Sequence, residues 1–64
     1  MKIAIIGATG HAGTLLTKEA LARGLAVTAI MRNAKKLTVD VPFIEKDLYD
    51  LTAEDLQGFD IIID

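Results

Sequence analysis

Sixty-four residues with a net charge of −2, 52% hydrophobic and 25% charged, have the make-up of one soluble globular unit rather than a disordered or fibrous chain. At this size the folded surface is expected at roughly 4,000 Å² against roughly 10,000 Å² unfolded, so a solitary core is marginal. With no cysteine, no serine and a single histidine, His11, the chain offers no disulfide framework, no serine nucleophile and no Cys/His zinc site.

Two further classes are excluded on pattern. The densest cationic stretch, residues 32–36, is too small for the phosphate neutralisation of a general nucleic-acid binder. No apolar run reaches about 18 residues, and the N-terminal MKIAII leads into a glycine-rich turn rather than a signal-peptide cleavage site. The expectation is a cytoplasmic protein with no membrane partner.

Residues 2–6 form an apolar, β-branched run closed by Gly7, which predicts a strand buried on both faces as in a parallel sheet. From the glycine-rich turn to Gly24 the pattern is helical. Gly13, Leu16, Thr17, Ala20, Leu21 and Gly24 share one face that is expected to pack on the sheet. Glu19 and Arg23 form an i, i+4 pair, and Gly24 stands where a helix C-cap belongs. Residues 25–31 predict a second buried strand. Asn33 can cap one turn through Leu37, and residues 38–41 read as loop. Residues 43–46 predict a short third strand, with Pro42 tolerable at its start, followed by a loop over 47–51. Thr52 and Asp55 have capping-box spacing, which predicts a short helix over 52–57 that ends at Gly58. Residues 59–64 predict a fourth strand. This β-α-β-α-β-α-β alternation implies an α/β fold with a parallel sheet and right-handed crossovers.

Gly7-x-x-Gly10-x-x-Gly13 lies between a predicted strand and a predicted helix, the context in which such a pattern points to dinucleotide binding. Gly7 permits the tight turn, Gly10 lets the backbone approach a pyrophosphate, and Gly13 lets the helix lie close to the sheet. Backbone N–H groups from Thr9 to Ala12 then face an anion at the helix N-terminus. A glycine-rich turn that binds nothing is the plainer alternative. After the second strand, an acid that bonds the ribose 2′-hydroxyl is absent, and Arg32 stands in its place with Lys35 and Lys36 following. An Arg there pairs with a 2′-phosphate, so NADP(H) is favoured over NAD(H); the plainer alternative is a solvated Arg at a strand end.

Ile5-Ile6-Gly7-Ala8-Thr9-Gly10-x-x-Gly13, Met31-Arg32-Asn33 and Lys46-Asp47-Leu48 together resemble the N-terminal half of atypical short-chain dehydrogenases. More narrowly, they resemble the NmrA-like and flavin or biliverdin reductase-like NAD(P)H-binding proteins. The resemblance implies a Rossmann-type parallel sheet, incomplete, with residues 1–64 as the N-terminal part of a single NAD(P)-binding domain that normally runs about three times longer. It implies that Gly7, Gly10 and Gly13 form the phosphate turn lined by Thr9, His11 and Ala12, that Arg32 contacts the 2′-phosphate with Asn33 beside it, and that Asp47 and Leu48 receive the adenine. Where the family often has Gly this chain has Lys46, and Asp47 can equally be read as a loop acid.

No residue is assigned to catalysis or to a metal. His11 occupies a variable position of the turn, away from where the nicotinamide belongs. The acids Asp47, Asp50, Glu54 and Asp55 include first-turn residues expected on dipole grounds alone. Tyr49 is not the catalytic Tyr of a Tyr-x-x-x-Lys pair, because position 53 is Ala; its expected role is to cover the sheet edge or the adenine end of the site.

Strand order by analogy is 3-2-1-4, with one face of the sheet nearly bare and the fourth strand an open edge. The expectation is a piece of a longer protein or a half completed by association, as a homo-oligomer or with a complementing fragment. Two functions fit: an NADPH-dependent oxidoreductase acting on a small molecule such as a flavin or quinone, its substrate contacts lying beyond the fourth strand, or an NmrA-like regulator that senses NADP without turnover. A mononucleotide or methyl-donor site on the same half-fold is a third.

Overall fold

The computed structural model describes residues 1–64 and contains four strands and one α-helix: β1 (Lys2–Ile6), α1 (His11–Ala22), β2 (Ala26–Met31), β3 (Phe43–Glu45) and β4 (Ile61–Ile63). All strand pairs are parallel, and the sheet order is β3-β2-β1-β4, the Rossmann-type arrangement expected by analogy from the resemblance. β1 and β2 pair from Lys2 beside Ala26 to Ile6 beside Ile30. β4 meets β1 over only three positions, Ile3 beside Ile61 to Ile5 beside Ile63.

Side chains alternate across a strand, and here the alternation separates two apolar layers. Ile3, Ile5, Val27, Ala29 and Met31 form the core on the α1 side, joined by Ala8, Ala20 and Val41. Ala4 and Ile30, of opposite parity, are also fully buried. A right-handed connection from β3 to β4 must recross the sheet on the face away from α1, so residues 46–60 cover that second face at its centre. The expected bare face is thus covered over β1 and β2 and open at β4, where Ile62, in register with Ala4, is 44% exposed. The folded surface is 4353 Å².

α1 ends as its sequence dictates. Gly24 has φ +76°, its N–H donates to the Leu21 carbonyl, and the Leu25 N–H donates to the Ala20 carbonyl, a Schellman termination. Arg23 and Glu19 pair at 3.0 Å on the solvent face. The buried stripe is narrower than the expected one. Thr17 and Ala20 are buried and Gly13 faces the turn, whereas Leu16 and Leu21 remain exposed. Contact is centred on the small residues, which leaves both leucines on its flanks. Thr17 is buried because its hydroxyl donates to the Gly13 carbonyl at 2.7 Å.

Elsewhere the elements are shorter than predicted. Leu25 belongs to the helix termination and not to β2, β3 stops at Glu45, and β4 is confined to Ile61–Ile63. Asn33 caps a 3-10 turn over Ala34–Lys36 by accepting the Lys35 N–H, and the expected loop at 47–51 contains a second 3-10 turn, Leu48–Asp50. The helix predicted over 52–57 does not form. The capping-box bonds between Thr52 and Asp55 are made in both directions, yet only a run of turns follows. Gly58, at φ +88°, ends the segment before propagation can repay nucleation.

The closest constraint in the fold is at Gly13, where an added Cβ would fall on the Gly7 carbonyl oxygen and lie 2.8 Å from Ala8 Cα, all backbone atoms. At Gly10, with φ −72°, an added Cβ would meet nothing nearer than 3.6 Å. Gly13→Ala should therefore lower stability in urea unfolding by about 1–3 kcal/mol, while Gly10→Ala should change it by less than about 0.5 kcal/mol. Equal effects would show that the helix does not rest on the turn in this way.

Candidate functional site

The carboxyl ends of β1, β2 and β3 open into one cleft of about 360 Å³, lined by Ile6, Gly7, Thr9, Ile30, Met31, Arg32, Lys46, Asp47, Leu48 and Tyr49. This is where parallel α/β sheets place ligands, because the strand ends and the loops that follow them converge there. Gly7 adopts φ +78° as the chain leaves β1, and its N–H donates to the Ile30 carbonyl at 2.9 Å. The turn is closed by the Gly10 N–H on the Gly7 carbonyl at 3.2 Å, and the Thr14 hydroxyl donates to the Ala8 carbonyl at 3.3 Å.

The start of α1 is chemically suited to an anion. Its N-cap is Gly10, no side chain caps the orphan N–H groups, and no acid stands in the first turn. Neither backbone strain nor packing demands glycine at position 10, and its missing side chain leaves those N–H groups open. A pyrophosphate fits such a cradle.

Arg32 follows β2 directly, and its side chain is 82% exposed with Nη1 3.9 Å from Asp47 Oδ2. Asp47 begins the second 3-10 turn, where Oδ1 accepts the Tyr49 N–H at 3.1 Å. Lys46 reaches away to Asp55, at 3.0 and 2.8 Å from the two carboxylate oxygens. Hence Arg32 is the cleft cation whose nearest acid is distant. Glu45 accepts the Ala34 N–H at 2.7 Å, which ties the loop after Arg32 to the end of β3.

Of the residues singled out in the sequence, Gly7, Thr9, Arg32, Asp47 and Leu48 line the cleft. Gly10, His11, Ala12 and Gly13 lie beyond it at the start of α1, and the Asn33 side chain is turned to the Lys35 N–H. Ile6, Ile30, Met31 and Lys46 line the cleft without having been assigned to it. Each ends a predicted parallel strand or stands next to such an end, and that position was the available signal. The acids do not converge: no group of three or more His, Asp or Glu side chains is placed to hold a metal. No helix is long and apolar enough to cross a membrane.

The NAD(P)H-binding family model matches residues 7–63, and the chain belongs to that family. Among its relatives is YwnB of Bacillus subtilis (strain 168), an uncharacterized protein, 55% identical over 64 residues that make up 98% of this chain and 30% of YwnB. A solved structure from Streptococcus pneumoniae TIGR4, of a candidate NADH-flavin reductase, is similar with a TM-score of 0.89 and 44% identity, covering 97% of this chain and 29% of that one. The Lmo0794 protein of Listeria monocytogenes gives a TM-score of 0.86 at 46% identity, over 97% of this chain and 38% of its own. The chain thus spans 29% to 38% of the length of these relatives.

Asp55, with 19% of its side chain exposed, is held below the usual carboxyl value of 3.8. The main cause is the hydrogen bond from Lys46, followed by the Thr52 backbone N–H, with desolvation working in the opposite direction. A folded-state pKa below the unfolded one gives stabilisation that is present above about 3.8 and is lost as pH falls through the folded value. Lys46→Met should therefore flatten the acid limb of a urea-midpoint profile measured from about pH 6 to about pH 2. An unaltered limb would show that the pair does not contribute.

Proposed function

We propose that these 64 residues are the nucleotide-binding part of an NADPH-dependent oxidoreductase of a small molecule such as a flavin or quinone, working in the cytoplasm. They form the N-terminal part of one NAD(P)-binding domain. The observation that carries the reading is the uncapped start of α1 held against the end of β1 by Gly13. In this reading Gly7, Thr9, Gly10, His11, Ala12 and Gly13 hold the pyrophosphate, the backbone N–H groups donating and the helix dipole favouring the anion. Arg32 pairs with the 2′-phosphate with Asn33 beside it, and Asp47 and Leu48 receive the adenine. The bound nicotinamide supplies the hydride, and this chain's residues bind and orient its adenosine end. Substrate contacts come from beyond β4.

Arg32 is the residue on which cofactor choice turns. The pneumococcal neighbour is a candidate NADH-flavin reductase, whereas an exposed guanidinium with only a distant acid favours a phosphate dianion. Calorimetric titration of Arg32→Glu should show NADPH weakened by about 10- to 100-fold, since a charged hydrogen-bond partner becomes a repelling one. NADH should change by no more than about threefold on the same warrant, because it carries no 2′-phosphate. Equal loss for both nucleotides would sink the assignment of Arg32 to the 2′-phosphate. NADPH binding without oxidation in the presence of flavins and quinones would favour an NADP-sensing regulator instead.

A further inference from the structure

We infer that the Tyr49 ring is the base-stacking wall of the cleft, and that the Asp47 carboxylate positions it opposite Arg32. This inference rests on the nucleotide reading above and adds a residue to it.

Tyr49 is 94% exposed, the most exposed of the large hydrophobic side chains, yet it lines the cleft. It packs in no core cluster and its hydroxyl makes no hydrogen bond, so the fold gives its ring no structural task. Its backbone, by contrast, is held firmly. The Tyr49 N–H donates to Asp47 Oδ1 at 3.1 Å, and the Asp50 N–H donates to the Asp47 carbonyl at 2.9 Å, so the ring projects from a closed 3-10 turn. The other oxygen of the same carboxylate, Oδ2, stands 3.9 Å from Arg32 Nη1. One carboxylate therefore holds the Tyr49 turn and faces the Arg32 guanidinium, and Ile30 and Leu48 line the same cleft.

A planar aromatic ring and a guanidinium lining one cleft with apolar side chains suit a flat, electron-rich heterocycle with a polar edge. Base–aromatic stacking depends on the π-face and not on a hydrogen-bond pattern, so the ring is expected to take a purine with little dependence on its substituents. Burial of an exposed ring against the base supplies apolar contact that the free protein lacks. Asp47 is then a positioning residue for the ring.

The test uses adenosine 2′,5′-diphosphate as the probe. Tyr49 is the single tyrosine of the sequence and there is no tryptophan, so its fluorescence reports on the ring directly, and amide shifts at residues 7–13 report separately on the phosphate turn. The expected result is quenched tyrosine emission on titration, with ribose 5-phosphate, which lacks the base, leaving emission unchanged. Tyr49→Ala should weaken binding by about 5- to 150-fold, the range that stacking on a protein aromatic carries, and Tyr49→Phe should stay within about twofold of the wild type on the same ground. Asp47→Ala should diminish the quenching, and Asp47→Asn, which keeps the acceptor for the Tyr49 N–H, should restore it. Because the ring is exposed, Tyr49→Ala should fold normally. If residues 7–13 shift while Tyr49→Ala binds as tightly as wild type, the stacking role is overturned and the nucleotide reading stands. If residues 7–13 do not respond in the wild type, both fall.

Discussion

α1 lies on the end of β1 as closely as two backbones allow, and the contact is made where neither partner has a side chain to spare. Gly13 presents its Cα to the Gly7 carbonyl and the Ala8 backbone, and the buried Thr17 stands one turn further along, its polarity answered by the Gly13 carbonyl. The half of the cleft beside the glycine turn follows from this approach. It brings the uncapped helix N-terminus to the edge of the sheet, and it holds the Gly7 turn where the N–H can rest on the Ile30 carbonyl. Any side chain at position 13 would push the helix outward and take the orphan N–H groups with it.

The second half of the cleft is organised by charge instead of by close packing. Glu45, Lys46 and Asp47 are consecutive, and each engages a different part of the chain. Glu45 takes the Ala34 N–H, Lys46 takes Asp55, and Asp47 takes the Tyr49 N–H while facing Arg32. The end of β3 is thereby tied to the loop after β2, to the crossover over the second face and to its own 3-10 turn. These partners are surface groups, so their worth in stability is modest individually; their effect is to fix where the strand-end loops run.

Much of this was legible in the sequence, and the reasons differ by element. The apolar runs of β1 and β2, the glycine spacing and Gly24 each encode a local requirement with few alternatives, so both strands, the turn and the helix end followed from them, whereas strand order came by analogy from the family resemblance. Residues 52–57 misled because the capping box is a local signal that is satisfied in the structure, whereas a helix needs more residues than Gly58 leaves it. Leu16 and Leu21 misled because periodicity marks a face and not which part of it touches. Residues 47–51 read as loop since a 3-10 turn has no periodic signature, only an Asp two positions before the N–H it accepts. Of the cleft, motif positions were readable and strand-end positions such as Ile6 and Ile30 were not, since their place depends on how strands from distant parts of the chain align.

β4 joins the sheet through a clasp between the two ends of the chain. The Lys2 N–H donates to Asp60 Oδ2 and the Asp60 N–H donates to the Lys2 carbonyl, each at 2.8 Å, across 58 residues. β1 and β2, by contrast, meet across a separation of 24, from Lys2 to Ala26 (26 − 2). Loop-closure entropy makes the longer closure costlier by about 0.8 kcal/mol, and three paired positions reward it where β2 has five. β4 is consequently the last strand to dock and the first to leave. Its amides should therefore exchange with solvent through a local opening that leaves the β1-α1-β2 unit and the glycine turn intact.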